Sequence, residues 1–328
     1  MGEALPRVFV TAKLPGEAAD GRAVLDPLRD IAVCEVFEGP GSPDPETLGR
    51  RAAGCEGLLC LLTDRIDAAL MDRCASLRVI SSCSVGVDHI DVEAAVARGI
   101  PVGHTPGVLT DATADLAMGL LLAAARRLPE ADRFVRDHRW DPLRRWEPGM
   151  LLGADLAGAT LGLIGLGPIG QAVARRAQGF GMRVVGWTRS ERRVEGVLPS
   201  SLENLLAVSD FVSVHVALAE GTRNLLDAQA IARMKPGAIL VNTSRGGIVD
   251  EQALARALST RALRAAALDV FAEEPLERDS PLRELDNVIL APHIGSATHR
   301  TREAMARLAV ENLIAGLAGR PLRAAVNP

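Results

Sequence analysis

Three polar residues of the sequence are of types that could exchange a proton with a ligand that carries a carboxylate. Arg245, Glu274 and His293 each follow a short apolar run that predicts a β-strand. An arginine can hold a carboxylate and a neighbouring carbonyl with its planar guanidinium, and a histidine exchanges protons readily near neutral pH. A glutamate beside an imidazole favours the charged imidazole. Singly, the histidine indicates only a loop and Glu-Pro only a turn, but three such residues at three strand ends predict a reaction centre.

A glycine-rich turn lies upstream of these residues. It follows an apolar strand at residues 160–164 and opens a helix predicted to run to about residue 180. The turn consists of Gly165, Leu166, Gly167, Pro168, Ile169 and Gly170. In this context the first glycine permits the turn, the second lets a pyrophosphate approach, and the third lets helix and strand pack closely. Pro168 suits the first helical position, and the helix amino terminus directs free N–H groups at phosphates. The motif predicts a dinucleotide site, with a purely structural turn as the alternative.

The end of the next predicted strand, residues 183–187, bears on which dinucleotide binds. In NAD sites an acidic residue about 20 residues beyond the glycines holds the ribose 2′-hydroxyl. Here Thr188, Arg189 and Ser190 follow the strand, and no carboxylate ends it. Because a guanidinium pairs strongly with a phosphate, the sequence favours NADP(H), with NAD(H) as the less favoured coenzyme. The alternative interpretation is a solvated turn.

Short apolar runs alternate with helical patterns along the chain and fall into two groups. The first group comprises residues 8–11, 31–37, 57–62, 79–82 and 101–104, and the second comprises 160–165, 183–187, 211–216, 238–242, 265–270 and 288–291. This alternation is typical of parallel sheets in α/β proteins. Longer helical patterns at residues 111–127 and 301–318 lie where the chain passes from one predicted domain to the other. We therefore predict two Rossmann-like or flavodoxin-like doubly wound domains, with a nucleotide domain (107–292) inserted into a substrate domain (1–106 and 293–328).

Composition narrows the possible partners. The 328 residues are 48% hydrophobic and 24% charged, and the net charge of −4 contains no long run of one sign. This composition argues against a nucleic-acid or anionic-membrane partner, and no apolar run approaches the ~18–20 residues that span a bilayer. The five cysteines are odd in number and lack C-x-x-C spacing, which predicts free, mostly buried thiols rather than disulfides or metal ligands. Without a signal-peptide layout, we expect a cytoplasmic protein with no metal site.

The order and spacing of the motifs resemble the D-isomer-specific 2-hydroxyacid dehydrogenase family over nearly the whole chain. The motifs run from the glycine turn through N-T-S-R-G, L-D-V-F and E-P-L to P-H-I-G. The segments at residues 57–62, 84–89, 109–111 and 293–300 are most similar to the glyoxylate/hydroxypyruvate reductases of that family. The resemblance implies reversible, NADPH-dependent reduction of glyoxylate and hydroxypyruvate to glycolate and D-glycerate by a homodimer.

The resemblance also implies roles for the matching residues. Arg245 would bind substrate, His293 would protonate the carbonyl oxygen as hydride arrives, and Glu274 would support His293. The further substrate contacts it implies are Val85, Gly86 and Ser296, with Trp146 in a segment that crosses to the twin subunit in such reductases. An interface or core tryptophan is an equal alternative for Trp146. The further cofactor contacts are Val216, Thr222, Thr243, Ser244, Gly295 and Asp269, the last holding the nicotinamide carboxamide.

The chain departs from the family pattern at three places, and other functions stay open. Pro168 stands where the family often has arginine, the loop at 215–220 lacks two common prolines, and an insertion lies around residues 141–148, beside Trp146. A reductase for another 2-keto acid, such as 2-ketogluconate, or a nucleotide-sensing protein of the corepressor type would share the fold and the three polar residues. Phosphoglycerate dehydrogenase is disfavoured because its long forms carry an additional domain, and formate or phosphite oxidation is disfavoured by the reductase-like segments.

Overall fold

The structure is a computed structural model that describes residues 4–16, 23–143, 145–189 and 192–326. Its strands are β1 (Arg7–Val10), β2 (Val33–Val36), β3 (Gly57–Cys60), β4 (Val79–Ser82), β5 (Val102–Gly103), β6 (Thr160–Ile164), β7 (Arg183–Trp187), β8 (Leu198–Pro199), β9 (Phe211–Val214), β10 (Ile239–Asn242), β11 (Ala265–Leu268) and β12 (Val288–Leu290). Its helices are α1 (Asp26–Arg29), α2 (Pro45–Ala52), α3 (Ala68–Arg73), α4 (Val92–Ala97), α5 (Thr110–Ala125), α6 (Leu128–Arg136), α7 (Pro168–Gly179), α8 (Leu202–Val208), α9 (Ala228–Ala232), α10 (Glu251–Ser259) and α11 (His299–Leu317).

The described chain forms two compact units. One is Met1–Leu109 with Ser296–Pro328, and the other is Thr110–Gly295. Both boundaries between the units lie three residues after the predicted ones at 106 and 292. His293 therefore belongs to the second unit. The named strands of each unit pair in parallel, which confirms the predicted α/β class.

The first unit is built on a five-stranded sheet in the order β2-β1-β3-β4-β5, the flavodoxin-like doubly wound arrangement. Apolar side chains of β1, β3 and β4 form its core, where Phe9, Leu58 and Ile80 are fully buried. Helix α11 covers this sheet, and the buried Asn312 on α11 ties two backbone segments. Its Nδ2 donates to the His104 carbonyl at 3.0 Å, and its Oδ1 accepts from an amide near the carboxyl terminus at 2.9 Å.

The second unit is built on a seven-stranded sheet in the order β12-β11-β10-β9-β6-β7-β8. Numbered within the unit, this is the 3-2-1-4-5-6 Rossmann order with one further strand. Helix α5 packs on one face of the sheet, and α9 and α10 lie on the core of the other face. The strand order reverses between β6 and β9. Ligands bind at the carboxyl ends of strands at such a reversal, and the glycine turn follows β6 there.

The observed strands match the predicted runs, but most end earlier. The run at residues 265–270 gives only β11, because Asp269 and Val270 are buried in the loop beyond the sheet. Apolar composition therefore reports burial and not sheet pairing. The two-residue strand β8 was not predicted, since Leu198 is exposed at the sheet edge and carries no apolar pattern.

Two further expectations concern the cysteines and the helices. All five cysteines are free thiols, of which four are buried and Cys34 is half-buried, as predicted. Across the described ranges, no helix is both long and apolar enough to cross a bilayer. Within the same ranges, no three His, Cys, Asp or Glu side chains are grouped to hold a metal ion.

Candidate active site

The three polar residues of the predicted reaction centre lie at neighbouring strand ends of the second unit. Arg245 follows β10, Glu274 lies in the loop after β11, and His293 follows β12. These strands are adjacent and parallel, so their carboxyl ends meet at one edge of the sheet. Nδ1 of His293 lies 2.7 Å from Oε2 of Glu274, and the side chains are 24% and 26% exposed. The pair is thus sheltered but still open to a ligand.

The backbone of His293 is held in an unusual conformation. Its φ is 53°, in the left-handed region that costs a non-glycine residue roughly 1–2 kcal/mol. Asp269 stabilises this turn with two acceptors. The Asp269 carbonyl accepts from the His293 amide at 2.9 Å, and its carboxylate Oδ1 accepts from the Ile294 amide at 2.7 Å. The buried aspartate therefore fixes the direction in which the imidazole leaves the backbone.

Glu274 stays ionised beside His293. Burial raises the pKa of Glu274, but the hydrogen bond and charge of His293, the Phe271 amide and the Arg245 charge together bring that pKa below its ordinary value. The Phe271 amide donates to Oε1 at 3.0 Å, which leaves Oε2 for the imidazole. An ionised carboxylate only accepts hydrogen bonds, so Nδ1 of His293 is the donor. Nε2 is then the ring nitrogen left to exchange a proton with a ligand.

The turn that carries Arg245 is shaped by Asn242, whose role the sequence did not reveal. Asn242 is the buried last residue of β10. Its Nδ2 donates to the Arg245 carbonyl at 2.9 Å, and its Oδ1 accepts from the Ser244 amide at 3.0 Å. The Arg245 guanidinium itself donates to the Ser244 carbonyl at 2.8 Å. A fully buried amide at the end of an apolar strand was the available signal, because such a group must find partners.

The Arg245 turn and the Glu274 loop are in direct backbone contact. A Cβ added at Gly246 would lie 1.8 Å from the Phe271 carbonyl carbon and 2.2 Å from the Ala272 nitrogen. At Gly247 a Cβ would meet only side chains, at 3.4 Å or more. Glycine at position 246 is therefore a condition for the segments that carry Arg245 and Glu274 to approach each other.

The glycine turn after β6 has the geometry of a phosphate cradle. Gly165 has a φ of 105°, and a Cβ there would lie 2.6 Å from a carbonyl of the loop after β9. A Cβ at Gly170 would lie 2.1 Å from the Gly165 carbonyl oxygen, so this glycine lets α7 pack against the turn. Gly167 is the residue before α7, and a Cβ there would meet no atom within 4 Å. The space above Gly167 is open to a ligand at the helix amino terminus.

The remaining residues of the turn support the helix. Pro168 is the first residue of α7, where its missing N–H costs nothing, and the half-buried Ile169 packs against the core. The carbonyl of Leu166 accepts from Arg192 Nη1 at 3.2 Å. Thr188 and Arg189 follow β7 at the same edge, with the Arg189 guanidinium beside Gly221. Ser190 lies outside the described residues.

Two buried polar atoms at this edge fit a nicotinamide dinucleotide. Oδ2 of Asp269 and Oγ1 of Thr243 are buried without a hydrogen-bond partner in the described parts of the chain. Burial also raises the pKa of Asp269, opposed by the Ile294 amide. The Asp269 carboxylate oxygen needs a donor, and the amide N–H of a carboxamide is one, whereas the Thr243 hydroxyl can donate or accept. Gly295 lies against Oδ2, and its carbonyl accepts from the Thr113 hydroxyl at 3.2 Å, a contact that the sequence did not indicate.

Other predicted residues have structural partners of their own. Thr222 Oγ1 donates to the Ala217 carbonyl at 2.7 Å and accepts from an amide at 2.8 Å, which shapes the loop after β9, and Val216 of that loop packs on the core. Ser244 is part of the Asn242 network described above. Trp146 is 79% exposed.

Val85, Gly86 and Ser296 belong to the first unit. The carbonyl of Gly86 accepts from the Ser84 hydroxyl at 2.6 Å, and the Val85 carbonyl lies 3.0 Å from Nδ1 of His104. These contacts fix the loop after β4 through its carbonyls. The Ser296 carbonyl accepts from the Thr298 amide at 2.8 Å, just before α11.

Known proteins are similar to this chain over nearly its whole length. Residues 118–295 match the family model described as "D-isomer specific 2-hydroxyacid dehydrogenase, NAD binding domain". The glyoxylate reductase of Korarchaeum cryptofilum is 46% identical over 94% of this chain and 92% of its own length. The human glyoxylate reductase/hydroxypyruvate reductase is 44% identical over 97% of each chain.

A solved structure is similar over the same length. The NADPH-dependent glyoxylate/hydroxypyruvate reductase of Sinorhizobium meliloti, in complex with NADP and malonate, superposes with a TM-score of 0.84 at 33% identity and covers 98% of this chain and 97% of that one. Identity above 40% over nearly the full length, together with the matched nucleotide domain, leaves one assignment. The chain belongs to the D-isomer-specific 2-hydroxyacid dehydrogenase family.

Proposed function

We propose that the protein reduces glyoxylate and hydroxypyruvate to glycolate and D-glycerate with NADPH. The observation that carries the proposal is the 2.7 Å contact between His293 and Glu274 at the sheet edge that also bears Arg245. Relatives named for these two substrates, at 44–46% identity, support the choice of acids. The second unit is assigned to the coenzyme, and the first unit is assigned to the substrate.

His293 acts as the acid of the reduction. The negative charge of Glu274 favours the protonated imidazole, which then delivers the proton from Nε2 to the carbonyl oxygen of the keto acid. In the reverse direction the neutral ring accepts the same proton from the hydroxyl group. The left-handed backbone of His293, pinned by Asp269, keeps the ring in one orientation while it alternates between the two states.

Arg245 provides the positive charge for the substrate. Its guanidinium binds the carboxylate and stabilises the charge that develops on the carbonyl oxygen. The hydrogen bonds from Asn242 keep the turn in place, so the charge is oriented before the substrate arrives. Val85, Gly86 and Ser296 retain their predicted role of contacting the substrate from the first unit.

The nicotinamide coenzyme supplies the hydride to C2 of the acid. Asp269 Oδ2 would accept from its carboxamide, the glycine turn would hold its pyrophosphate, and Thr243, Ser244, Val216, Thr222 and Gly295 would provide further contacts. Arg189 and Thr188 would bind the 2′-phosphate, which is the basis of the proposed preference for NADPH over NADH. The NADP complex of the Sinorhizobium relative supports this preference.

The protein acts as a homodimer in this proposal. The segment at residues 136–152 exposes large apolar side chains that a monomer would leave in water. They include Trp140, Leu143, Trp146 and Leu152, each more than half exposed. A second copy of the chain covers this segment, with Trp146 at or near the interface.

Initial rates test the function directly. Glyoxylate and hydroxypyruvate, each with NADPH, are expected to give kcat/KM values at least about tenfold above those of pyruvate and 2-ketogluconate, a difference of about 1.4 kcal/mol. NADH in place of NADPH gives lower values with every acid. A higher value for 2-ketogluconate would reassign the substrate, and nucleotide binding without turnover of any acid would indicate a sensing protein instead.

Arg189→Ala tests the coenzyme preference. Losing a charged hydrogen bond to the 2′-phosphate costs about 1.5–3 kcal/mol, so the KM for NADPH is expected to rise roughly 10- to 100-fold. The KM for NADH stays nearly constant because NADH lacks that phosphate. Arg175→Ala, an exposed arginine on α7, is the matched control and changes neither value. Equal increases for both coenzymes in the Arg189 variant would refute the assignment.

Glu274→Gln tests the coupling between the carboxylate and the imidazole. The glutamine keeps the side-chain shape but removes the negative charge beside the His293 imidazole. The alkaline limb of the kcat/KM profile for reduction is therefore expected to move to lower pH. The rate below that limb drops less. Glu273→Gln, in the same loop, leaves the profile unchanged. A Glu274→Gln profile that superimposes on the parent profile would make Glu274 a purely structural residue.

Light scattering at micromolar concentration tests the dimer and is expected to give twice the chain mass of 34.6 kDa. Leu143→Glu places a charge at a position that is 92% exposed in the single chain, and is expected to shift the population towards the monomer. Leu5→Glu changes a half-exposed leucine outside the segment and should leave the mass unchanged. A monomer mass for the unmodified protein would exclude the dimer.

A further inference from the structure

We propose that Glu251 is a positioning residue for the His293–Glu274 pair, because its carboxylate fixes the loop that carries Glu274 against the segment that carries Arg245. The inference rests on the proposed function, since it assigns Glu251 a part in the same proton transfer. Oε1 of Glu251 accepts from the Ala272 amide at 2.6 Å, across 21 residues of sequence. Glu251 thus contacts the Glu274 loop and not its own helix.

Glu251 is free to make this long-range contact because another residue caps its helix. Glu251 is the first residue of α10, where an acidic side chain usually serves the helix terminus. Here Asp250 performs that task, and its Oδ1 accepts from the Ala253 amide at 2.9 Å. One short segment, from Arg245 to Glu251, thus carries two functional groups in this proposal. The guanidinium at its start binds the substrate, and the carboxylate at its end holds the loop that carries Glu274.

Two carboxylates hold consecutive amides of the Glu274 loop. Glu274 takes the Phe271 amide at 3.0 Å, and Glu251 takes the Ala272 amide. The backbone at Gly246 packs against the same two residues, within 2.2 Å of where its Cβ would be. The segment that carries Arg245 therefore holds the loop at Phe271 and Ala272. Glu274 lies only two residues further along the same loop.

The charge environment of Glu251 is unfavourable for an ionised carboxylate. Burial raises its pKa, and the nearby charges of Glu277 and Glu274 raise it further, against the Ala272 amide. A carboxylate is held here close to two others, at a cost that a neutral side chain would avoid. Such costs are accepted at functional sites when they fix a geometry.

Glu251 affects the reaction by keeping the carboxylate of Glu274 within 2.7 Å of His293. The charged groups that face this pair are Asp269 beside His293, and Arg245 and Glu251 beside Glu274. When the Ala272 amide loses its acceptor, the loop relaxes and the carboxylate of Glu274 moves away from the imidazole. Proton delivery then weakens, while binding of the coenzyme at the glycine turn does not change.

The test compares Glu251→Ala with Glu251→Gln. Glu251→Ala is expected to lower kcat for glyoxylate about tenfold, as for the loss of one hydrogen bond to a charged group, with the KM for NADPH within about twofold of the parent value. Its alkaline limb moves towards that of Glu274→Gln. Glu251→Gln restores both kcat and the limb, because the amide oxygen still accepts from Ala272. Glu273→Ala, an exposed carboxylate of the same loop, is the matched control and changes neither.

Two additional measurements separate positioning from a merely structural role. In the double variant Glu251→Ala/Glu274→Gln, the first substitution is expected to add less than about twofold to the loss caused by the second, because both act on one contact. Amide hydrogen exchange in residues 269–276 is expected to quicken in Glu251→Ala and to return to the parent rate in Glu251→Gln. A Glu251→Ala enzyme with lower thermal stability but unchanged kcat and pH profile would overturn the proposal.

The outcomes also distinguish this inference from the proposed function. If the protein turns over none of the keto acids, the proposed function fails, yet the loop can still be examined without substrate. A nuclear magnetic resonance titration of the His293 ring then compares the parent with Glu251→Ala and Glu251→Gln. A titration altered only by the alanine supports the positioning role, and identical titrations in all three proteins refute it.

Discussion

The hydrogen bond between His293 and Glu274 is the interaction on which the other features of this site depend. It requires an ionised carboxylate, an imidazole in a fixed orientation, and two loops that return to the same point after separate strands. Each requirement has its own structural support. The Phe271 amide and Arg245 favour the charged form of Glu274, and Asp269 holds the backbone turn of His293. The loop that carries Glu274 is contacted by Glu251 and by the backbone at Gly246.

The parallel sheet explains how residues so distant in sequence reach one site. In β10, β11 and β12 the chain runs in one direction, so every polar residue that follows a strand emerges at the same edge. The glycine turn emerges at that edge too, beside the point where strand order reverses. The glycine turn and the His293–Glu274 pair therefore lie at one edge of the sheet because these strands run in the same direction.

The same regularity determined what the sequence could predict. The strand pattern placed Arg245, Glu274 and His293 at one edge, and the glycine spacing located the turn after β6. The sequence could not predict contacts made by the backbone, or contacts of residues for which another role was equally plausible. Asn242 looked like the end of an apolar strand, and Glu251 looked like an ordinary acidic residue in the first turn of a helix. The predicted strands were too long because buried loop residues such as Val270 have the same apolar character as the sheet.

The backbone contact at Gly246 has a consequence for how this site can change over evolutionary time. Two side chains in contact can each be replaced by a smaller residue. Two backbones in contact cannot be relieved in this way, because no substitution shortens the main chain. The guanidinium-bearing turn and the carboxylate-bearing loop are thus inherited as a single piece. New substrate preferences would arise more readily from segments outside this piece, and a chimera that imports only one of its halves would bring together main chains shaped for different neighbours.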